Sequence, residues 1–200
     1  MRNYFAHLFD PGWQTSPAHW IAVVWFVWAI SWFVAAVWSR QTAARARFAQ
    51  EAPYRLVTVL GVVLLFGFLQ FSSVPRGWDL NDDVLWVLVA LTVAGFLFAW
   101  WARIHLGALW SGTITRKEGH RVVDTGPYAM VRHPIYTGVL LAMFATAVAR
   151  GRWEAVIGAA LCVLGFWIKA RQEEKFVSET LGPDYAAYRQ RVHMLVPYLL

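Results

Sequence analysis

The segment Gly126 to Gly138, GPYAMVRHPIYTG, sets an adjacent basic pair, Arg132 and His133, directly before a proline. Proline has a fixed φ and no N–H, which suits the first position of a helix. Arg132 and His133 therefore stand just before a helix N-terminus. There, unpaired N–H groups and a partial positive charge favour an anion such as a carboxylate or phosphate. A plainer role for the same residues is an interfacial anchor for Arg132 and a helix cap for His133. The second such segment is KARQEEKFVSETLGPDYAAYRQRVHMLVPYLL, Lys169 to Leu200, with adjacent carboxylates at Glu173 and Glu174. Lys169 and Glu173 are four apart, the spacing of an ordinary solvated ion pair on a helix face.

Helical arithmetic brings the two segments together. Between them lies the turn Arg150-Gly151-Arg152-Trp153; His133 is 18 residues before Gly151 and Glu173 is 22 after it. At ~1.5 Å per residue these are about 27 and 33 Å along two antiparallel helices, so the basic pair and the carboxylates reach nearly the same level. Cations and carboxylates converging at one rim can grip a zwitterion. Tyr185 and Tyr188, three apart on a short helix expected after Gly182-Pro183, either lid that rim or serve as interfacial aromatics.

Other chemistries find no purchase. One cysteine, Cys162, excludes a disulfide framework or a multi-cysteine metal site. His7, His19 and His193 are scattered, and His105 and His120 have no neighbouring ligand at helical spacing, so no metal set is expected. A nucleotide-binding glycine fingerprint and a P-loop are both missing. Trp25, Trp28 and Trp32 share one helix face, the pattern of helix packing or lipid contact.

The elements that must carry these residues are apolar. Hydrophobic residues make up 58% of the 200 positions and charged residues 15%, against roughly 45–50% and 25% in soluble domains. Mean hydropathy is +0.43, and the 13 tryptophans are of a type that collects at membrane interfaces. The net charge of +6 punctuates apolar runs instead of forming a nucleic-acid patch. Trp20–Trp38, Leu56–Val74 and Val84–Ala102 each run 19 residues without Asp, Glu, Lys or Arg, enough to cross a bilayer. Ile135–Ala149 and Ala155–Ile168 are shorter, and Arg150, Arg152 and Lys169 can snorkel to lengthen them. The expectation is an all-α, polytopic membrane protein of five spans, the last two a hairpin, followed by a cytoplasmic amphipathic tail. Segments 39–55, 102–133 and 169–200 hold 14 of the 18 Lys and Arg residues, which puts the N-terminus outside and the C-terminus in the cytoplasm. With Arg2 its lone cation and Asp10 beside it, the first stretch lacks the basic start of a cleaved signal, so the first run reads as a retained span. A single domain, 1–200, is expected: two generic spans in 1–83 and a core in 84–200 that carries the motifs.

The ordered set LGALWS (Leu106–Ser111), GPYAMVRHPIYTG, the Glu173-Glu174 pair and LGPDYAAYRQRV, with a Val-Pro near the end, resembles isoprenylcysteine carboxyl methyltransferases and their bacterial and phospholipid-methylating relatives. The resemblance covers roughly residues 100 to 198. It implies an integral enzyme of the bacterial plasma membrane that uses S-adenosylmethionine and needs neither metal nor nucleic acid. Cofactor positions implied by it are Gly126, Tyr128, Arg132, His133, Pro134, Tyr136, Glu173, Glu174, Leu181 and Tyr185. The Pro134 helix start takes the methionine carboxylate, one of the two glutamates takes the amino or ribose groups, and aromatic rings face the sulfonium. A lipophilic acceptor, an isoprenylcysteine-like carboxylate or a lipid amine, enters sideways from the bilayer, with Arg132 and Glu174 orienting it or handling its proton. Gly112 and Gly119 permit the loop Thr113–Thr125 to move over the cofactor. Two other readings compete: a sterol-reductase-like oxidoreductase using NADPH, which shares an Arg-His-Pro-x-Tyr segment, and a non-enzymatic membrane scaffold.

Overall fold

The computed structural model describes residues 16–38, 42–45, 48–69, 71, 74, 76–113, 115–117 and 122–196. Arg2, His7, Asp10, Arg40, Arg47, Gly119, His120, Arg121 and Pro197, used above, lie outside them. Among the described residues six α-helices form, in the order α1 (Pro17–Ala36), α2 (Phe48–Phe66), α3 (Asp82–Leu106), α4 (Pro134–Arg150), α5 (Trp153–Leu181) and α6 (Pro183–Arg191). Their boundaries follow local chemistry. Ser16 accepts the His19 N–H ahead of Pro17, and Asn81 accepts the Val84 N–H at 3.0 Å ahead of Asp82 and Asp83. Gly151, at φ +60°, ends α4 and opens the tight turn into α5.

Among the described residues three helices are long and apolar enough to cross a membrane: α1, α3 with the 3-10 turn that continues it to Leu109, and α5. Apolar α4 is shorter at 17 residues. The run Leu56–Val74 does not form one helix as expected. The helix begins earlier, at Phe48, and stops at Phe66, where Gly67 adopts φ +76° and the Arg150 guanidinium donates to the Phe66 carbonyl at 2.7 Å. Arg150 thus caps a neighbouring helix instead of snorkelling. A further addition to the all-α expectation is a two-stranded antiparallel ribbon, β1 (Thr42–Arg45) with β2 (Thr115–Lys117), Thr42 opposite Lys117 and Arg45 opposite Thr115. The ribbon joins the α1–α2 and α3–α4 connections at one end of the bundle; at the other end the Gly77 N–H donates to the Gly151 carbonyl at 2.9 Å.

Helices α2 and α5 pack through small residues: a Cβ on Gly61 would lie 2.7 Å from the Gly158 carbonyl and the Cys162 Sγ. Helices α3 and α4 meet the same way, a Cβ on Gly95 falling 2.5 Å from the Gly138 carbonyl. Such contacts let backbones approach where lipid supplies no hydrophobic drive for helix association. Leu65, Ala99, Val139, Met143, Ala147, Ala155 and Cys162 fill the core between these helices. Phe26, Phe33 and Val34 of α1 are exposed, as a lipid-facing surface requires. Trp25 and Trp28 face inward: Trp28 stacks on Phe96, and the Trp25 indole N–H donates to Thr146 Oγ1 at 2.8 Å. Of the two roles open to this stripe, helix packing and lipid contact, these two rings take the first.

Candidate active site

The start of α4 and the later turns of α5 lie side by side at the ribbon end of the bundle. Apolar sequence in α5 stops at Ile168, but the helix continues to Leu181 and carries Glu173 and Glu174 on that extension. Consecutive helical residues point about 100° apart, so the two carboxylates have different surroundings. Glu174 is buried. Its Oε1 accepts from Arg132 Nε at 2.6 Å and contacts His133 Nε2 at 3.3 Å, while Oε2 lies 3.4 Å from Arg189 Nε on α6. Burial alone raises a carboxyl pKa, but the hydrogen bonds and charge of His133 and Arg132 outweigh it and hold Glu174 at about 2. Glu173 is more open. Both its oxygens accept from the Tyr136 hydroxyl at 2.7 Å, and it lies 3.7 Å from His133 Nδ1 and 3.8 Å from Lys169 Nζ. The His133 ring lies 3° from parallel with that of Tyr136, at 5.3 Å.

A cavity of about 170 Å³ opens beside this cluster. Arg132, His133, Tyr136 and Glu173 form its polar side; Leu106 at the end of α3, Leu109 and Trp110 after it, and Phe176, Val177 and Leu181 on α5, form apolar walls. Tyr185 and Tyr188 line it from α6 and are buried, not interfacial; Tyr188 donates its hydroxyl to the Tyr128 carbonyl at 2.7 Å. Burial raises the phenol pKa values of Tyr128, Tyr185 and Tyr188, assisted by the Tyr188 phenol, Glu174 and Asp124 respectively, so all three stay protonated in neutral solution. Helix α6 thus forms the cover, with Gly182 at φ +53° setting the bend before it.

Of the ten residues picked out by motif, Tyr128, Arg132, His133, Tyr136, Glu173, Leu181 and Tyr185 line the cavity. Gly126, Pro134 and Glu174 lie outside its lining. Gly126 sits at φ +58° where a Cβ would come within 2.8 Å of the His105 ring, a position only glycine fills easily. The N–H groups preceding Pro134 are already committed: Arg132 N–H donates to the His193 carbonyl at 2.8 Å and His133 N–H to Met194 at 3.1 Å. The chain after α6 returns beside residues 131–133, which removes those two donors from the expected anion site. His133 makes no side-chain cap bond. Arg132 spends its guanidinium on Glu174 and on the carbonyls of Arg189 and Val192.

Three contributors escaped the sequence reading. Arg103, taken above as one positive charge among 14, is fully buried. It donates to the carbonyls of Gly107, Ala35 and Trp38 at 2.7, 2.8 and 2.6 Å, between the rings of Trp38 and Trp110. Tyr54 of α2 is buried near Lys169, and Lys169 turns inward instead of snorkelling. The available signals were a charge in the last turn of an apolar helix for Arg103 and the four-residue spacing to Glu173 for Lys169.

A helical membrane protein with a cavity at the helix ends, half polar cluster and half apolar wall, is the class that fold and site define. Residues 87–179, the stretch from α3 to the carboxylates of α5, match the Isoprenylcysteine carboxyl methyltransferase (ICMT) family. Among similar proteins, a Methanethiol S-methyltransferase of a Pseudomonas species is 39% identical over 164 residues, covering 74% of this chain and 60% of its own. Methanethiol S-methyltransferase 1 of Bradyrhizobium diazoefficiens is 27% identical over 74% of this chain and 55% of its own. Protein-S-isoprenylcysteine O-methyltransferase B of Arabidopsis thaliana is 33% identical over 87 residues, 43% of this chain and 44% of its own. The chain thus spans about half the length of the curated relatives it matches.

Proposed function

We propose that this protein transfers a methyl group from S-adenosylmethionine to a lipophilic acceptor at the membrane face where the ribbon lies. The observation that carries this reading is the split character of one cavity: the Tyr136–Glu173–His133 cluster on one side and apolar and aromatic walls on the other. The residues fit the donor. Glu173, 20% exposed on its side chain and lining the cavity, suits an amino group or ribose hydroxyls, while Tyr136, Tyr185 and Trp110 offer aromatic faces to a cation. S-adenosylmethionine, when bound, supplies a methyl carbon already activated by its sulfonium. Catalysis by the chain is then positioning and exclusion of water. Tyr136 orients Glu173 through its hydroxyl, α6 shuts the cavity from above, and Arg132 and Glu174, tied to each other, hold α4, α5 and α6 in register without touching the reacting atoms.

The acceptor is best sought first among apolar thiols, because the relatives named for methanethiol align over 74% of this chain and the isoprenylcysteine relative over 43%; lipophilic carboxylates and lipid amines follow. We further assign five crossings, counting α2 and α4, with the N-terminus outside and the C-terminus in the cytoplasm of a bacterial plasma membrane. The test is incubation of detergent-purified protein with S-adenosylmethionine and, separately, an alkyl thiol, a farnesylcysteine carboxylate and phosphatidylethanolamine, followed by assay of S-adenosylhomocysteine. Turnover with any one of them supports the reading; turnover with none, by folded protein, contradicts it.

A further inference from the structure

The cavity wall that follows α3 is tethered at both ends by cations. At its start Arg103 donates to the Gly107 carbonyl at 2.7 Å; at its far end Lys169 Nζ donates to the Gly112 carbonyl at 3.1 Å. Between the two points lie Leu109, Trp110 and Ser111, all lining the cavity. Lys169 is only 13% exposed on its side chain. Its ammonium lies 5.2 Å from the ring centre of Tyr136 and 5.7 Å from that of Tyr54, within the range of a cation–π contact, and 3.8 Å from Glu173 Oε1. A lysine anchoring a span end points its charge to water; this one points it between two aromatic faces, a carbonyl and a carboxylate. Tyr54 belongs to α2, which carries none of the family motifs and falls outside the matched segment 87–179.

We propose that Lys169 is a positioning residue of the cavity: seated on Tyr54 and Tyr136, it latches the wall at Gly112 and holds Glu173 in place, so that α2 takes part in the site. The effect on ligand binding rests on the methyl-transfer reading above; the effect on the wall does not.

The experiment therefore has two readouts on the full-length protein in detergent: hydrogen exchange of backbone amides in 107–113, and the Kd of S-adenosylhomocysteine. Lys169→Met, which keeps the stem and removes the charge, is expected to speed exchange in 107–113 by tenfold or more, with α3, α4 and α5 protected as before, and to weaken binding about tenfold. Tyr54→Leu is expected to move both readouts in the same direction, while Tyr54→Phe, which keeps the aromatic face, retains the protection of 107–113. In Lys169→Ala, n-propylammonium added to the buffer is expected to restore part of that protection. Unchanged exchange in Lys169→Met and Tyr54→Leu overturns the proposal. So does faster exchange spread evenly through the bundle, which marks a general packing residue. Failure of the wild type to bind S-adenosylhomocysteine contradicts the methyl-transfer reading alone and leaves the exchange readout to decide on the latch.

Discussion

The α4–α5 hairpin presents cations and carboxylates at both of its ends, and the two ends use them differently. At the turn, Arg150 donates to the Phe66 carbonyl, and Arg152 pairs with Glu154 at 2.7 Å while also donating to the Val74 carbonyl at 3.4 Å. Both arginines there close backbone or a partner carboxylate, and Trp78 adds an indole bond to the Val148 carbonyl at 2.9 Å. At the opposite end Glu174 is closed in the same way by Arg132, His133 and Arg189. Its neighbour Glu173, one residue earlier, meets Tyr136 and Lys169 and faces a cavity. Charged groups at helix ends are thus mostly structural in this protein. What marks the site is one carboxylate oriented by a phenol yet still open on one side.

That contrast can be broken experimentally. The largest effect is expected from Glu174→Ala, which strands Arg132 in a buried setting; loss of one partner of a buried pair costs about 3–5 kcal/mol, read as a large fall in the melting temperature in detergent. The same pair gives a pH signature. With its folded pKa held at about 2, below the ordinary range of about 4.3 for a glutamate, Glu174 contributes stability that is present above the unfolded pKa. That contribution is lost as pH falls toward 2, a decline that Glu174→Gln is expected to lack in melting curves across that window. Glu173→Gln is expected to change stability by less than about 1 kcal/mol while weakening S-adenosylhomocysteine at least tenfold, because it removes a charged acceptor worth about 1.5–3 kcal/mol. The turn end supplies the control. Arg150→Met deletes the bond to Phe66 and is expected to lower stability by about 1 kcal/mol with ligand affinity within twofold of wild type. Smallest is Tyr188→Phe, which removes the bond to the Tyr128 carbonyl and is expected to cost about 1 kcal/mol or less; it sharpens the comparison by raising exchange in α6 without touching the turn end.

Much of this was legible in the residues. Charge-free runs marked the long helices, Pro134, Gly151 and Pro183 marked helix starts and the hairpin turn, and counting along the hairpin brought His133 and Glu173 to one level. Other features depended on contacts far apart in sequence. The end of α2 at Phe66 is set by Gly67 and by Arg150, 84 residues on from Phe66, so the apolar run alone overstated the helix to Val74. At the Pro134 helix start, nothing local shows that residues 193 and 194 return to take the N–H groups of Arg132 and His133. Glu173 and Glu174 are alike in sequence and differ only through which face of α5 meets the cavity. Arg103 and Lys169 looked like membrane-flanking charges, since composition does not distinguish a cation turned inward from one in water.

The central claim, that Glu173 faces the donor's site while Glu174 only holds the frame, is tested most directly by titrating S-adenosylhomocysteine into detergent-purified wild type and Glu173→Gln in a calorimeter. Micromolar binding by the wild type and its loss in Glu173→Gln, with both proteins melting alike, is the predicted result. Equal affinity in the two, or no binding by folded wild type, contradicts it.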